Sequence, residues 1–247
     1  SAPKSPEEKA QIINLYDAEI AYADREIGRL LDALKAMGLY DRSLIILTSD
    51  HGEAFYEHGH WEHSQTLYDE IIRVPLIVKW PDSIPRGRRK TLVGQVDIFP
   101  TLLESAGIEP PRTGAMGLLH AGAEQNTRPR IPSEVTWMSP NGTFMKVSFR
   151  SEGLKYIATL AGPAGDELGA TEITQEELYD LTRDPAEQNN LIAKSPHRAK
   201  SLATRLRGDL RAFLDEARRL RAKRRGEEVL LDESTRERLR SLGYINP

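Results

Sequence analysis

The stretch SLIILTSDHGE, residues 43–53, decides the fold. Its first half is a short, continuous apolar run rich in β-formers, the signature of a strand buried on both faces as in a parallel sheet. Asp50, His51 and Gly52 follow directly, and in open α/β sheets ligands bind just beyond the carboxyl ends of strands. Adjacent side chains of a strand point to opposite faces, so Asp50 and His51 can share one ion only where the chain leaves the sheet. Gly52 permits that turn. A carboxylate plus an imidazole suits Mn²⁺, Zn²⁺ or Mg²⁺, and Ca²⁺ where oxygen ligands from elsewhere dominate the shell. Two ligands make half a site, and a turn aspartate beside a capping histidine would carry the same letters.

Downstream, RVPLIVKWP (73–81) repeats the strand signature and stops at Pro81. Between the two strands, residues 51–63 hold four of the chain's six histidines. His58, His60 and His63 sit with Gly59 and Trp61 on a segment that reads as a loop. A single loop histidine is ordinarily solvated or hydrogen-bonded, but a cluster of imidazoles near an anionic substrate can donate hydrogen bonds and pass protons near neutral pH. No glycine-rich phosphate loop, glycosidase carboxylate pair or nucleophile elbow is legible elsewhere. The histidine stretch is therefore the strongest chemical feature of the chain.

Upstream, SPEE reads as an N-cap, a first-turn proline and early acids. Ile13, Tyr16, Ile20, Ile27, Leu30, Leu31 and Leu34 then mark one long amphipathic helix closing near Gly38. DIFPTLLESAG (97–107) predicts a further short helix, so strand and helix alternate in an α/β manner. Residues 112–128, rich in Gly, Ala and polar groups, predict a surface loop. TFMKVSFRS and LKYIATL predict a hairpin turning near Gly153, with ELYDLTRDPAEQNNL as a third strand running into a turn: a small antiparallel sheet. From Pro196 the chain is helical and charged. Its basic run RRLRAKRRGEE leaves a phosphate-binding role open but reads first as a solvated face and linker, since acids are interspersed and no aromatic accompanies it. This divides the chain into residues 1–135, an α/β part, and 136–247, a small antiparallel sheet with C-terminal helices.

With 247 residues, 39% of them hydrophobic, the chain can bury a real core. Thirty-four Lys and Arg against 37 Asp and Glu give a net charge of −3, no field that argues for nucleic acid or an anionic membrane surface. No cysteine is present, which excludes disulfides, thiolate metal sites and a cysteine nucleophile within these residues. No run approaches the ~18 apolar residues of a membrane span. The opening SAPKSPEEKAQ lacks the marks of a signal peptide and reads as the interior of something longer. The compartment stays open between periplasm, exterior and cytoplasm.

Five segments in order, YADREIGRLLDALKAMGLYDRSLIILTSDHGE, EHGHWEH, LYDEIIRVPLIVKWP, VDIFPTLLESAGI and ELYDLTRDPAEQNNL, resemble the C-terminal half of a sulfatase of the alkaline phosphatase superfamily, over about residues 16–191. The ending LDESTRERLRSLGYI is similar to tails of bacterial sulfatase-like proteins. The resemblance implies an α/β fold carrying the distal part of a mainly parallel sheet, then the small antiparallel sheet and C-terminal helix. It implies hydrolysis of a sulfate ester, with Asp50 and His51 binding one divalent cation, Ca²⁺ first and Mn²⁺, Mg²⁺ or Zn²⁺ as alternatives. His58 matches the histidine of the family's GEHG motif, and His63 aligns with its substrate-contacting lysine; both are carried over as catalytic. No role carries over to His60. The family's acidic ligand pair and its Cys/Ser-x-Pro-x-Arg nucleophile, modified to formylglycine, belong to an N-terminal half absent from these residues. The expected partners are that half and a sulfate or phosphate ester; the chain alone is expected to be inactive and to expose an apolar face. His63 in place of lysine keeps a phosphodiesterase or phosphonate monoester hydrolase as the alternative, with a non-catalytic fragment that binds metal or a partner as another.

Overall fold

A computed structural model describes residues 5–63, 65–81, 87–111, 115, 117–118, 131–139, 142–151, 153–163, 172–194, 196–224, 233 and 235. Most of the loop expected at 112–128 and of the tail motif at 231–245 lies outside them. The chain forms two compact units, Ser1–Ala203 and Thr204–Pro247.

The first unit opens with α1, Pro6–Ala36. The Ser5 hydroxyl accepts the Glu8 amide at 3.2 Å, Pro6 occupies the first turn, and Gly38 leaves the helix in the left-handed region at φ 67°. None of α1's residues is buried. Leu15, Tyr16, Ile20, Tyr22 and Leu30 are exposed, as are Ile77, Val96, Phe99 and Leu102 further along.

Strand β1 is Ile45–Thr48 and β4 is Leu76–Lys79; between them lie two-residue strands β2 (Ala54–Phe55) and β3 (Trp61–Glu62) and helix α2 (Asp69–Ile72). The α/β character follows the sequence, but the reading of the two strands needs correction. β1 and β4 pair antiparallel, Ile45 opposite Lys79 and Thr48 opposite Leu76, and not as neighbours in a parallel sheet. The two-face burial expected of the apolar runs is not found either: no residue of β1 or β4 is buried, and Thr48 and Ile77 are exposed; strand direction depends on which strand the chain is paired with. Lys79 secures the pair by donating to the carbonyls of Tyr40, Asp41 and Ser43 at the entrance to β1. A 3-10 turn, Gln95–Asp97, leads into α3, Ile98–Ser105.

Four nine-residue strands, β5 (Ile131–Ser139), β6 (Gly142–Arg150), β7 (Leu154–Gly162) and β8 (Glu172–Asp180), form an antiparallel sheet in sequential order. The hairpin at Gly153 and the strand ending in LYD are as expected; β5 is an additional strand, and residue 135 lies inside it. On β7, Lys155, Tyr156, Ile157 and Ala158 are consecutively buried, so both faces of this central strand are covered. Helix α4, Leu191–Lys194, follows the turn after β8, and α5 spans Pro196–Arg224. In the second unit Leu206, Leu210 and Leu214 are the buried stripe of α5, at i,i+4 spacing. Among the described residues no helix is long and apolar enough to cross a membrane.

An ion network joins the sheet to the α/β part. Lys155, fully buried, pairs with Asp69 at 2.9 Å and Glu187 at 2.8 Å. Arg150 also donates to both oxygens of Asp69. Burial by itself would raise the Asp69 carboxyl, but Lys155 and then Arg150 outweigh it and hold it below its ordinary value. Burial dominates at Glu187 and pushes its carboxyl up, against Lys155 and the Asp69 amide that donates to it at 2.6 Å. Lys155→Met removes the cation shared by these two carboxylates and should destabilise the chain by about 3–5 kcal/mol, measured by urea denaturation followed by far-UV circular dichroism.

Candidate functional site

The end of β1 does not continue as a strand. The Ser49 hydroxyl donates to the His51 carbonyl at 2.6 Å, and the His51 amide donates to Asp50 Oδ1 at 3.0 Å. The Gly52 amide then donates to the Ile71 carbonyl at 2.7 Å. This turn brings two neighbouring side chains to one side: Asp50 Oδ2 and His51 Nε2 stand 3.8 Å apart. His51 Nδ1 lies 2.9 Å from the Gly52 carbonyl, which can only accept, so Nδ1 carries the hydrogen and Nε2 presents its lone pair beside the carboxylate. Asp50 is 77% exposed, and its carboxyl is held below the ordinary value by the His51 amide first and the His51 ring second.

His63 joins this pair. Its ring stacks on His51 with centroids 4.4 Å apart and planes 25° from parallel, and its Nδ1 is 3.3 Å from Glu53 Oε2. Glu53 Oε1 is buried without a hydrogen-bond partner among the described residues. Of the four residues singled out from the sequence, Asp50, His51 and His63 therefore share one exposed edge, with Glu53 behind them.

His58 sits in different company. Its side chain is only 9% exposed, stacks on Tyr68 at 3.7 Å, donates from Nδ1 to Glu70 at 2.7 Å, and has Nε2 at 3.1 Å from the Glu187 carbonyl. It lines a pocket of about 400 Å³ with Glu57, Asp69, Glu70 and Glu187, and not the edge with Asp50. Tyr68 and Tyr179 both donate to Glu177 Oε2 at 2.6 Å; burial first, then that carboxylate, pushes both phenols up, so they remain donors. His60 is half-buried, and burial, then Lys146 and His58, push its imidazole down. Tyr56, Glu62 and Gln65 have positive φ, so this histidine segment is held in a conformation its residues rarely adopt unaided.

Sequence reasoning did not assign Glu53, Glu70, Lys155 or Glu187. Glu53, Glu70 and Glu187 stand inside quoted motifs, as the acids of DHGE, LYDE and DPAE. Lys155 reads as one more polar residue of an exposed strand and carries no signal. Among the described residues no three His, Asp or Glu side chains are grouped to hold a metal.

The described residues thus combine two two-stranded sheets, a charged edge at the end of β1 and a four-stranded antiparallel sheet. Residues 1–108 match the family described as Sulfatase, and the chain belongs to the sulfatase family of the alkaline phosphatase superfamily. It is 30% identical to arylsulfatase K of Xenopus laevis over 213 residues, which cover 84% of this chain and 38% of the relative. The structure of a 2-O GAG sulfatase superposes with TM-score 0.69 at 26% identity, over 93% of this chain and 48% of that one. A phosphonate monoester hydrolase of Agrobacterium radiobacter superposes with TM-score 0.66 at 25% identity, over 85% and 43%. The chain thus spans less than half the length of the relatives it matches.

The turn at Gly52 leaves no room for a side chain. A Cβ there would lie 2.0 Å from the Glu70 carbonyl oxygen, a backbone atom that cannot step aside. Gly52→Ala should lower stability by about 1–3 kcal/mol in thermal denaturation, by forcing β1's end away from α2.

Proposed function

We propose that this chain supplies the distal part of the active site of a sulfuric ester hydrolase. The observation that carries this reading is the convergence of Asp50 Oδ2 and His51 Nε2 at the end of β1, with Nδ1 already committed to the Gly52 carbonyl. The donor set, one carboxylate oxygen and one imidazole nitrogen without other partners on that side among the described residues, fits a divalent cation, Ca²⁺ by family and Mn²⁺, Mg²⁺ or Zn²⁺ by ligand type. A cation held there would supply charge stabilisation for the ester oxygens.

The chain's own residues orient the rest. His63, fixed by its stack on His51 and by Glu53, presents its outer edge toward an anionic group or leaving oxygen. His58, tied to Glu70 and the Glu187 carbonyl, acts from behind: it holds α2, whose backbone seats Gly52. Further cation ligands and the nucleophile, a formylglycine by family, belong to residues outside this chain, which works as one part of a longer hydrolase. The exposed large apolar side chains of α1 and α3 support that reading, since apolar residues left to solvent in such number suit a covering partner. A phosphodiester or phosphonate substrate is the second reading, favoured by the phosphonate monoester hydrolase likeness and by histidine standing where the resemblance expects lysine.

The purified chain should turn over neither aryl sulfate, aryl phosphate diester nor aryl phosphonate with Ca²⁺, Mn²⁺ or Mg²⁺ added. Turnover that vanishes in Asp50→Ala would show that the chain is complete by itself. In the protein that also carries the N-terminal half, Asp50→Ala and His51→Ala should each reduce turnover by at least about 100-fold, by misplacing a cation that stabilises developing charge. His63→Ala should lower turnover while leaving the melting temperature within a degree or two of wild type, on the order expected for an exposed position. The ratio of sulfate to phosphonate rates decides between the two readings.

A further inference from the structure

The turn that brings Asp50 and His51 together has a cost at the backbone. Where β1 ends, the carbonyls of Ser49 and Asp50 lie beyond the strand's paired register, Ser49's accepting only the neighbouring Thr48 hydroxyl at 3.3 Å among the described residues besides Gln95, and weakly paired carbonyls let a turn relax toward whichever conformation pairs them. One side chain meets both. The Gln95 amide nitrogen lies 2.6 Å from the Ser49 carbonyl oxygen and 2.9 Å from that of Asp50. Both contacts are acceptors, so the nitrogen end of the amide must face them, and its two hydrogens match the two carbonyls.

Gln95 is itself held. It begins the 3-10 turn Gln95–Asp97, and the buried Asp97 carboxylate accepts the Gly94 amide at 2.9 Å. The Asp97 carbonyl accepts the Thr101 hydroxyl at 2.5 Å, anchoring the turn on α3. From the other side the Gly52 amide is fixed to the Ile71 carbonyl. The segment from Ser49 to Gly52 is thus clamped between α3's leading turn and α2, and the clamp grips the two peptide groups whose orientation sets where Asp50 and His51 point.

We infer that Gln95 is a positioning residue for the Asp50–His51 pair, an inference that rests on the reading of these two as cation ligands. Among the described residues its hydrogen bonds go to the backbone and to neither side chain. It acts by holding the carbonyls of Ser49 and Asp50, so that consecutive side chains face one point and not opposite sides of a strand.

The test uses hydrogen exchange in the 247-residue chain, and Mn²⁺ as the probe in the protein that also carries the N-terminal half with its further ligands. In metal-free protein, Gln95→Leu and Gln95→Glu, the second keeping the length but lacking any N–H, should speed hydrogen exchange of the His51 and Gly52 amides severalfold with the melting temperature unchanged. In Mn²⁺ titration followed by water-proton relaxation, wild type should show binding that is lost in Asp50→Ala, and both Gln95 variants should bind about 10-fold more weakly or worse. Unchanged exchange at His51 and Gly52 in both variants overturns the positioning role whatever Mn²⁺ does, and so does a Gln95→Glu variant that behaves as wild type. Faster exchange without Asp50-dependent Mn²⁺ binding in the longer wild-type protein overturns the cation reading alone and leaves Gln95 as the residue that sets the turn.

Discussion

Lys155 has no exposure to water, and the arrangement of the first unit depends on how its charge is answered. A lone buried ammonium is very unfavourable; here it meets Asp69 at the start of α2 and Glu187 in the turn after β8. Neither carboxylate could be reached from β7 unless α2 and that turn lay against the sheet. The ion network thus fixes how the small sheet is docked, and with it where Glu70, the next residue of α2, holds His58.

The same docking reaches the charged edge through the backbone. Glu70 and Ile71 form the wall against which Gly52 turns, and the missing Cβ of Gly52 is what lets that wall stand so close. Buried histidine and exposed histidine are separated by this geometry. His58 is stacked, hydrogen-bonded at both ring nitrogens and nearly buried, whereas His63 stacks on His51 with most of its side chain in solvent. Four imidazoles within thirteen residues therefore do unlike things, because a loop with left-handed turns at Tyr56 and Glu62 points them in unlike directions.

Asp50 and His51 were legible as a pair because a strand end followed by glycine is a local signal, and so were the cap of α1 and the turn at Gly153. Glu53 and Glu187 were visible only as letters in motifs, since a carboxylate's role depends on which cation or ring stands opposite it. Gln95 left no mark at all: an exposed glutamine before a helix is unremarkable until the carbonyls it serves, some 45 residues earlier in the chain, are seen beside it. β5 escaped notice because its sequence lacks a clean alternation, and its pairing with β6 is what makes it a strand.

Local sequence by itself determined α1, β1, β4, α3 and the β6–β7 hairpin, where glycine had to stand, and which stretch gathers the histidines, because propensity, capping and turn geometry act within a few residues. Tertiary structure decided the antiparallel pairing of β1 with β4, the division of labour among the histidines, and the joining of Asp69, Lys155 and Glu187. Those outcomes rest on contacts between residues far apart in the chain, whose energies depend on burial and on the partner brought opposite, and neither quantity exists until the chain has folded.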